Sequence, residues 1–251
     1  MSTADPPATS GVDLRLRPPR RSEEELRHIV DQGKQIFGEE AEPLELLLWF
    51  GKRLGVERLA VAVSFSDGVM AYLAAHAVPG VDLLFVDTGY HFAETLGLRD
   101  AVASTQKVNV RSLQPELATK QQDERYGAEL WRTDPDKCCA MRKTAPMDNA
   151  LRGYEAWATG LRRNDHDGRV RTPLIEWDER HRMIKLNPIA AYSDEQIDAC
   201  IVEYGIMENP LRQLGYRSIG CEPCTQPVAD GAPERSGRWA GRNKVECGMH
   251  I

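Results

Sequence analysis

The chain has 251 residues, 41% of them apolar and 28% charged, so one domain with a buried core is the default expectation. The formal net charge of −6 argues against general nucleic-acid binding, which needs a basic footprint. No apolar run approaches the roughly 18 residues of a membrane span and the first residues lack a signal-peptide core, so a cytoplasmic protein with no membrane partner is expected.

Residues 1–21, rich in Pro, Ser, Thr and Arg, read as a disordered leader. Ser22 with Glu25 is a capping-box pattern and predicts a helix to about Phe37; Pro43, a good first helical residue, opens a second to Leu54. An alternation follows: a buried strand at Arg58–Ser64, a helix at Asp67–Ala77, a strand at Val81–Val86, a helix from about Phe92 to Ser104, and a short strand at Lys107–Val110. Such alternation implies an α/β fold of parallel βαβ units with right-handed crossovers. Further strands are expected at Ala156–Thr159, Leu174–Trp177 and Met183–Leu186. Ser193 with Gln196 opens a last helix, which Gly205 stops after Tyr204. Beyond Asn209 the chain reads as loop with little core, and long coreless segments usually form a site or a lid.

Six cysteines carry most of the chemical information. Cys200 lies on the last helix and reads as a small buried apolar residue. Cys138-Cys139 is a vicinal pair, and Cys221-Glu222-Pro223-Cys224 is a C-x-x-C. In a cytosolic chain such pairs point to metal or redox chemistry. Zinc normally uses two C-x-x-C knuckles, and a directly bonded Cys-Cys pair makes that geometry harder, so spacing alone leaves an iron–sulfur cluster and zinc equally open, with a disulfide well behind. Cys247 stands apart, beside Gly248 near the end of the sequence, where a core role is hard to justify. It reads as a mobile nucleophile, with His250 and upstream Arg residues placed to favour its thiolate.

Taken together, the ordered motifs resemble those of the assimilatory sulfonucleotide (APS/PAPS) reductases, most closely the bacterial adenylyl-sulfate (APS) reductases with a 4Fe-4S cluster. The matching stretches are Asp87–Phe92, Lys137–Lys143, Gly160–Arg163, Gly215–Thr225, Arg235–Trp239 and Lys244–His250, within residues 45–251. The resemblance implies an adenine-nucleotide α-hydrolase-like parallel sheet with flanking helices, spanning residues 22–208, and a cluster-binding catalytic segment of the same domain at 209–251. It implies one 4Fe-4S cluster on Cys138, Cys139, Cys221 and Cys224, with Cys247 as the catalytic nucleophile. The substrate-binding residues it implies are Ser64, Phe65, Ser66, Thr88, Gly89, Lys143, Gly160, Arg162, Arg163, Arg235, Arg238 and His250. Asp87 is expected to face ribose or hold a turn, not to touch phosphate.

The implied reaction reduces adenosine 5'-phosphosulfate (APS) to sulfite and AMP through an S-sulfocysteine, with thioredoxin or a glutaredoxin-like thiol as reductant. No thioredoxin-like domain follows the tail before Ile251, so an external reductant is expected. Cluster-bearing members mostly use APS, and this chain keeps all four pair cysteines, so APS is favoured; PAPS or dual specificity is the alternative. Two departures stand out. The loop Val63–Gly68 is shorter than Gly-rich or acidic versions in the wider family, and Met249 replaces the common Leu or Ile, which conserves apolar bulk. Other classes fit less well. A zinc- or cluster-bearing binding module has no use for a free tail cysteine, and an ATP-pyrophosphatase-type enzyme would show a Ser-Gly-Gly-x-Asp-Ser loop where Ser64–Gly68 stands. The sequence does not fix whether the chain forms a homo-oligomer.

Overall fold

A computed structural model of the chain describes residues 19–229, 231–242, 244 and 246–249. The expected leader lies outside the described residues except at its end. There Arg21 is held against the body: its guanidinium pairs with Glu155 at 2.6 Å, and Arg58 approaches the same carboxylate at 3.7 Å. Glu155 is fully buried, so its charge needs these cations.

Local signals set the helix starts. The Ser22 side chain accepts from the Glu25 amide and Glu25 answers the Ser22 amide, opening α1 (Glu23–Phe37). Pro43 begins α2 (Pro43–Leu54). The apolar run that follows forms β1 (Leu59–Val63), then α3 (Val69–Ala77), β2 (Asp82–Val86), α4 (Ala93–Thr105) and β3 (Asn109–Leu113). β3 starts later and runs further than the sequence suggests, because the Gly80 amide bonds Lys107 O and pairing begins at Asp82 with Asn109.

The stretch after β3 holds helices that sequence reading did not assign: α5 (Thr119–Tyr126), α6 (Leu130–Thr133), α7 (Pro135–Cys139), a π-turn at Ala140–Thr144 and α8 (Ala145–Leu151). Their residues are mostly polar. The one buried residue of α5, Gln122, is itself polar, so no apolar period announces that helix. Three short strands complete the sheet: β4 (Ala156–Ala158), β5 (Ile175–Asp178) and β6 (Met183–Leu186). Ser193 caps the last helix, α9 (Asp194–Tyr204), which ends at left-handed Gly205. Cys200 packs against the core but stays half-buried.

The sheet order is β3-β2-β1-β4-β6-β5. All neighbours are parallel except β5, which returns antiparallel to β6 through a tight turn. β2 is buried along its whole length, as a central strand covered on both faces must be. One core packs α1 to α3 against the sheet through Leu46, Leu47, Phe50 and Val61; a second, under α8, gathers Leu84, Met147, Tyr154 and Trp157. Each such side chain contributes roughly 1.5–3 kcal/mol when fully buried. Successive strands go one way from β1 and the other way from β4, so the chain reverses between them. In open α/β sheets the crevice beyond the strand ends at such a reversal is where ligands bind.

Candidate active site

The cleft lies at that reversal. It encloses about 230 Å³ and is lined by the loops after β1 and β4, by Lys143 of the π-turn, and by the C-terminal segment. Sequence-expected residues in its wall are Ser64, Phe65, Ser66, Lys143, Gly160, Arg162, Arg235, Arg238 and Cys247.

After β1 the backbone turns sharply. Phe65 is buried with φ of +54°, a left-handed conformation that is unusual for a bulky side chain. Asn209 fixes the turn by donating to Phe65 O at 2.9 Å. The Ser66 hydroxyl exchanges hydrogen bonds with Ile219 of the C-terminal segment, at 3.2 and 3.1 Å. The loop is thereby tied to the approach to the C-x-x-C. At the β4 end a Cβ on Gly160 would stand 3.2 Å from Met70 Cγ, so glycine keeps that wall open.

The turn after β2 serves the cysteines. The Thr88 hydroxyl lies 3.2 Å from Cys221 Sγ, Arg142 Nε donates to Thr88 O at 2.5 Å, and Glu222 N donates to Tyr90 O at 2.7 Å. Thr88 therefore stands against the cysteines, and neither it nor Gly89 lines the cleft. Asp87 holds the turn by accepting from Gly89 N at 3.1 Å. His91 is part-buried; its Nε2 is 2.9 Å from Val86 O, and its Nδ1 has no partner among the described residues. Burial lowers its pKa despite the Val86 bond.

Cys138, Cys139, Cys221 and Cys224 are all free and line one small pocket with Arg142 and Lys143. Among the described residues no carboxylate or imidazole lines it. Among the described residues no three His, Cys, Asp or Glu side chains stand close enough to hold a metal ion. The donor set is nonetheless all sulfur, beside cations. Burial and neighbouring thiols push Cys138 up to about 12, and burial pushes Cys139 up to about 11. Cys221 goes the other way: burial opposes its ionisation, but Lys143, the Thr88 hydroxyl and Arg238 outweigh it.

Lys143 joins this pocket to the cleft. It is buried, and among the described residues no carboxylate pairs with it. Burial works against its charge, yet Cys221, Cys247 and Cys139 hold its pKa above the ordinary value while Arg238 opposes them. Arg238 lies over the Trp239 ring at 4.6 Å and against Gly220, where a Cβ would collide with the guanidinium. Its Nε is buried without a partner among the described residues. Two cations lacking carboxylate partners in one cleft suit an anionic ligand.

The other arginines are engaged. Arg162 pairs with Asp194, with Glu234 at 3.0 Å and with Asp165 at 3.2 Å. Arg235 reaches Glu246 at 3.5 Å. Arg163 lies off the cleft, with Nε donating to Thr172 O at 2.9 Å and Nη2 to Glu39 O at 3.2 Å. His250 lies outside the described residues. Three groups that the sequence reading did not single out, His166, Arg169 and Glu246, meet beside Cys247: Arg169 pairs with Glu246, and His166 Nε2 is 2.8 Å from the same carboxylate. The charge-dense run Arg162–Arg169 was the available signal.

Residues 58–227 match the model of the phosphoadenosine phosphosulfate reductase domain. An adenosine 5'-phosphosulfate reductase of Streptomyces coelicolor is 47% identical over 231 residues, covering 92% of this chain and 97% of that protein. One of Mycolicibacterium smegmatis is 46% identical over 230 residues, with the same coverage of 92% and 97%. A phosphoadenylyl-sulfate (PAPS) reductase from Candida auris, solved as a phosphate complex, superposes with a TM-score of 0.65 at 26% identity, covering 84% of this chain and 99% of that one.

Proposed function

The chain belongs to the phosphoadenosine phosphosulfate reductase family and is an oxidoreductase acting on the sulfur of sulfonucleotides, and on that premise we propose that it reduces adenosine 5'-phosphosulfate to sulfite and AMP, with Cys247 as nucleophile. The observation that carries this reading is the meeting of Cys247 and Lys143 in one cleft, with Arg238 also facing it.

In the first step the Cys247 thiolate attacks the substrate sulfur. A sulfur–sulfur bond forms, the bond from sulfur to the phosphate oxygen breaks, and AMP leaves with that electron pair. Lys143 and Arg238 offset the anionic charge of the phosphosulfate as it approaches a thiolate. The Ser64–Ser66 loop and Gly160 form the wall for the nucleotide. In the second step a thiolate of thioredoxin, or of a glutaredoxin-like protein, attacks Cys247 Sγ, and sulfite leaves. The partner's second thiol resolves the mixed disulfide, so the dithiol supplies both electrons. Relatives named for APS at 46–47% identity favour APS over PAPS as substrate. The place of such a reaction is the cytoplasm, in assimilatory sulfate reduction ahead of cysteine biosynthesis.

The four pair cysteines suit one 4Fe-4S cluster, because they line a common pocket in which no carboxylate or imidazole stands among the described residues, with cations beside it. Held by these four thiols, a cluster would supply a charged iron–sulfur centre; the electrons of the scheme above balance without it. No helix among the described residues is long and apolar enough to cross a membrane.

Replacing Cys247 with Ser tests the reading. A serine hydroxyl is scarcely ionised near neutral pH, so sulfite release should fall below detection while the purified protein still binds APS. Normal turnover by that variant contradicts the assignment.

A further inference from the structure

We infer that Arg180 is a positioning residue for Cys247, tethering the tail at the residue that follows the nucleophile; the inference rests on the reading of Cys247 given above. Arg180 Nη1 donates to Gly248 O at 3.1 Å, and its Nη2 pairs with Asp148 at 2.6 Å. It does not line the cleft, so it acts through the tail and not on a ligand.

The far end of this bridge is anchored in the core. Asp148 stands on α8 next to Met147, which is buried in the second core. The other Asp148 oxygen is 3.0 Å from His181 Nε2, and His181 Nδ1 is 2.7 Å from Asp178. Asp178 in turn accepts from Nε1 of the buried Trp157 at 3.0 Å. A continuous series of polar contacts thus runs from β4 through the β5–β6 turn to the tail. A second neighbour supports the same docking: Met249 packs against the core under α8. Gly248 itself has φ of +83°, which lets the chain turn between Cys247 and Met249 at no steric cost.

The two sides of Cys247 are held differently. Glu246 sits among Arg169, Arg235 and His166 with its side chain 13% exposed, whereas the Arg180 side chain is 38% exposed. A thiol that meets a buried substrate and then an external dithiol has to leave its docked position between steps. Arg180 and Asp148 are both partly exposed, so this contact can open without uncovering a fully buried charge. A guanidinium can bridge a carbonyl and a carboxylate at once because its donors form a rigid fork; a lysine ammonium is a poorer bridge.

The test compares Arg180→Ala and Arg180→Lys with the parent in the anaerobically purified full chain. Iodoacetamide labelling of Cys247 without substrate, read by peptide mass spectrometry, reports tail docking; steady-state kinetics with APS and thioredoxin report its use. Arg180→Ala should speed Cys247 labelling about fivefold and lower kcat about tenfold, with KM within about twofold, the scale expected for losing a charged hydrogen bond. Arg180→Lys should fall between. Asp148→Asn, which keeps the side-chain volume, should shift labelling in the same direction. Unchanged labelling in Arg180→Ala overturns the tether, and so does an equal loss in both Arg180 variants accompanied by lowered melting temperature. Faster labelling with unchanged turnover overturns the positioning role, whereas normal turnover by Cys247→Ser, measured alongside, counts against Cys247 as the nucleophile itself.

Discussion

The ring Nε2 of His166 and the carboxylate of Glu246 lie 2.8 Å apart, one residue from the Cys247 thiol. Gly168 N donates to the ring's Nδ1 at 3.1 Å, so Nε2 carries the proton that Glu246 accepts. Arg169 pairs with the same carboxylate and Arg235 stands at 3.5 Å. In this arrangement the tail's own carboxylate fills a basic cluster on the cleft wall.

That occupancy has a measurable consequence. A substrate anion entering this part of the cleft competes with Glu246 for Arg169 and Arg235. Glu246→Gln should bind APS about three- to tenfold more tightly in titration calorimetry on a Cys247→Ser background, because charge-assisted contacts then pass to the ligand. Equal or weaker binding assigns Glu246 to tail docking alone.

Lys143 offers a sharper separation of stability from function. It is buried without a carboxylate partner among the described residues, yet the neighbouring thiols hold its pKa above the ordinary value, so its charge is stabilised in the fold at neutral pH. Lys143→Met, similar in length and neutral, should lower the melting temperature of the cluster-free protein only modestly. The same change should lower kcat/KM about ten- to a hundredfold, the worth of one charged contact. Arg238→Ala should give a loss of similar size. Unchanged kinetics in both variants would place these cations outside the reaction.

The cysteine pairs predict a composition. Anaerobically purified protein should hold about four iron and four sulfide per chain, as a cubane cluster requires. Cys221→Ser should lose the cluster and the activity together, since Cys221 is buried, lies against the Thr88 hydroxyl and bridges to the His91 backbone. Stoichiometric zinc without iron contradicts the cluster.

His181 predicts a pH dependence of stability. The hydrogen bond to Asp178 raises its pKa, burial opposes this, and Asp148 adds to the rise. A group whose folded pKa exceeds its unfolded value stabilises fully below that unfolded value, about 6.5, and the contribution is lost as pH rises through the folded pKa. For Asp178, burial is outweighed by the His181 bonds, so its pKa is lowered and its contribution persists above the acid range. The melting-temperature difference between the parent and His181→Gln should therefore be largest near pH 6 and shrink toward alkaline pH. A difference independent of pH would mean that the ring stays neutral in the fold.

Local signals made much of this fold legible. The Ser22 and Ser193 capping boxes, Pro43, Gly205 and the apolar run of β1 each act within a few residues, and each appears where the sequence places it. What was not legible depends on distant partners. Gln122 is buried because Arg142 reaches it across twenty positions, and Arg162 is neutralised by Glu234 across seventy-two. The π-turn that presents Lys143 has no local sequence mark, and the antiparallel return of β5 follows from the short turn before β6. The cysteine pairs were legible as pairs. Their common pocket depends on the bridge between His91 and Cys221, which no spacing rule encodes.

On the proposed mechanism Cys247 takes the sulfo group. Intact-protein and peptide mass spectrometry after mixing the holoenzyme with APS, without reductant, reads that transfer. One added sulfo group is expected on the peptide containing Cys247, with an equivalent of AMP released and the adduct removed as sulfite when thioredoxin is supplied. AMP release with no adduct on Cys247, or an adduct on another cysteine, contradicts that mechanism.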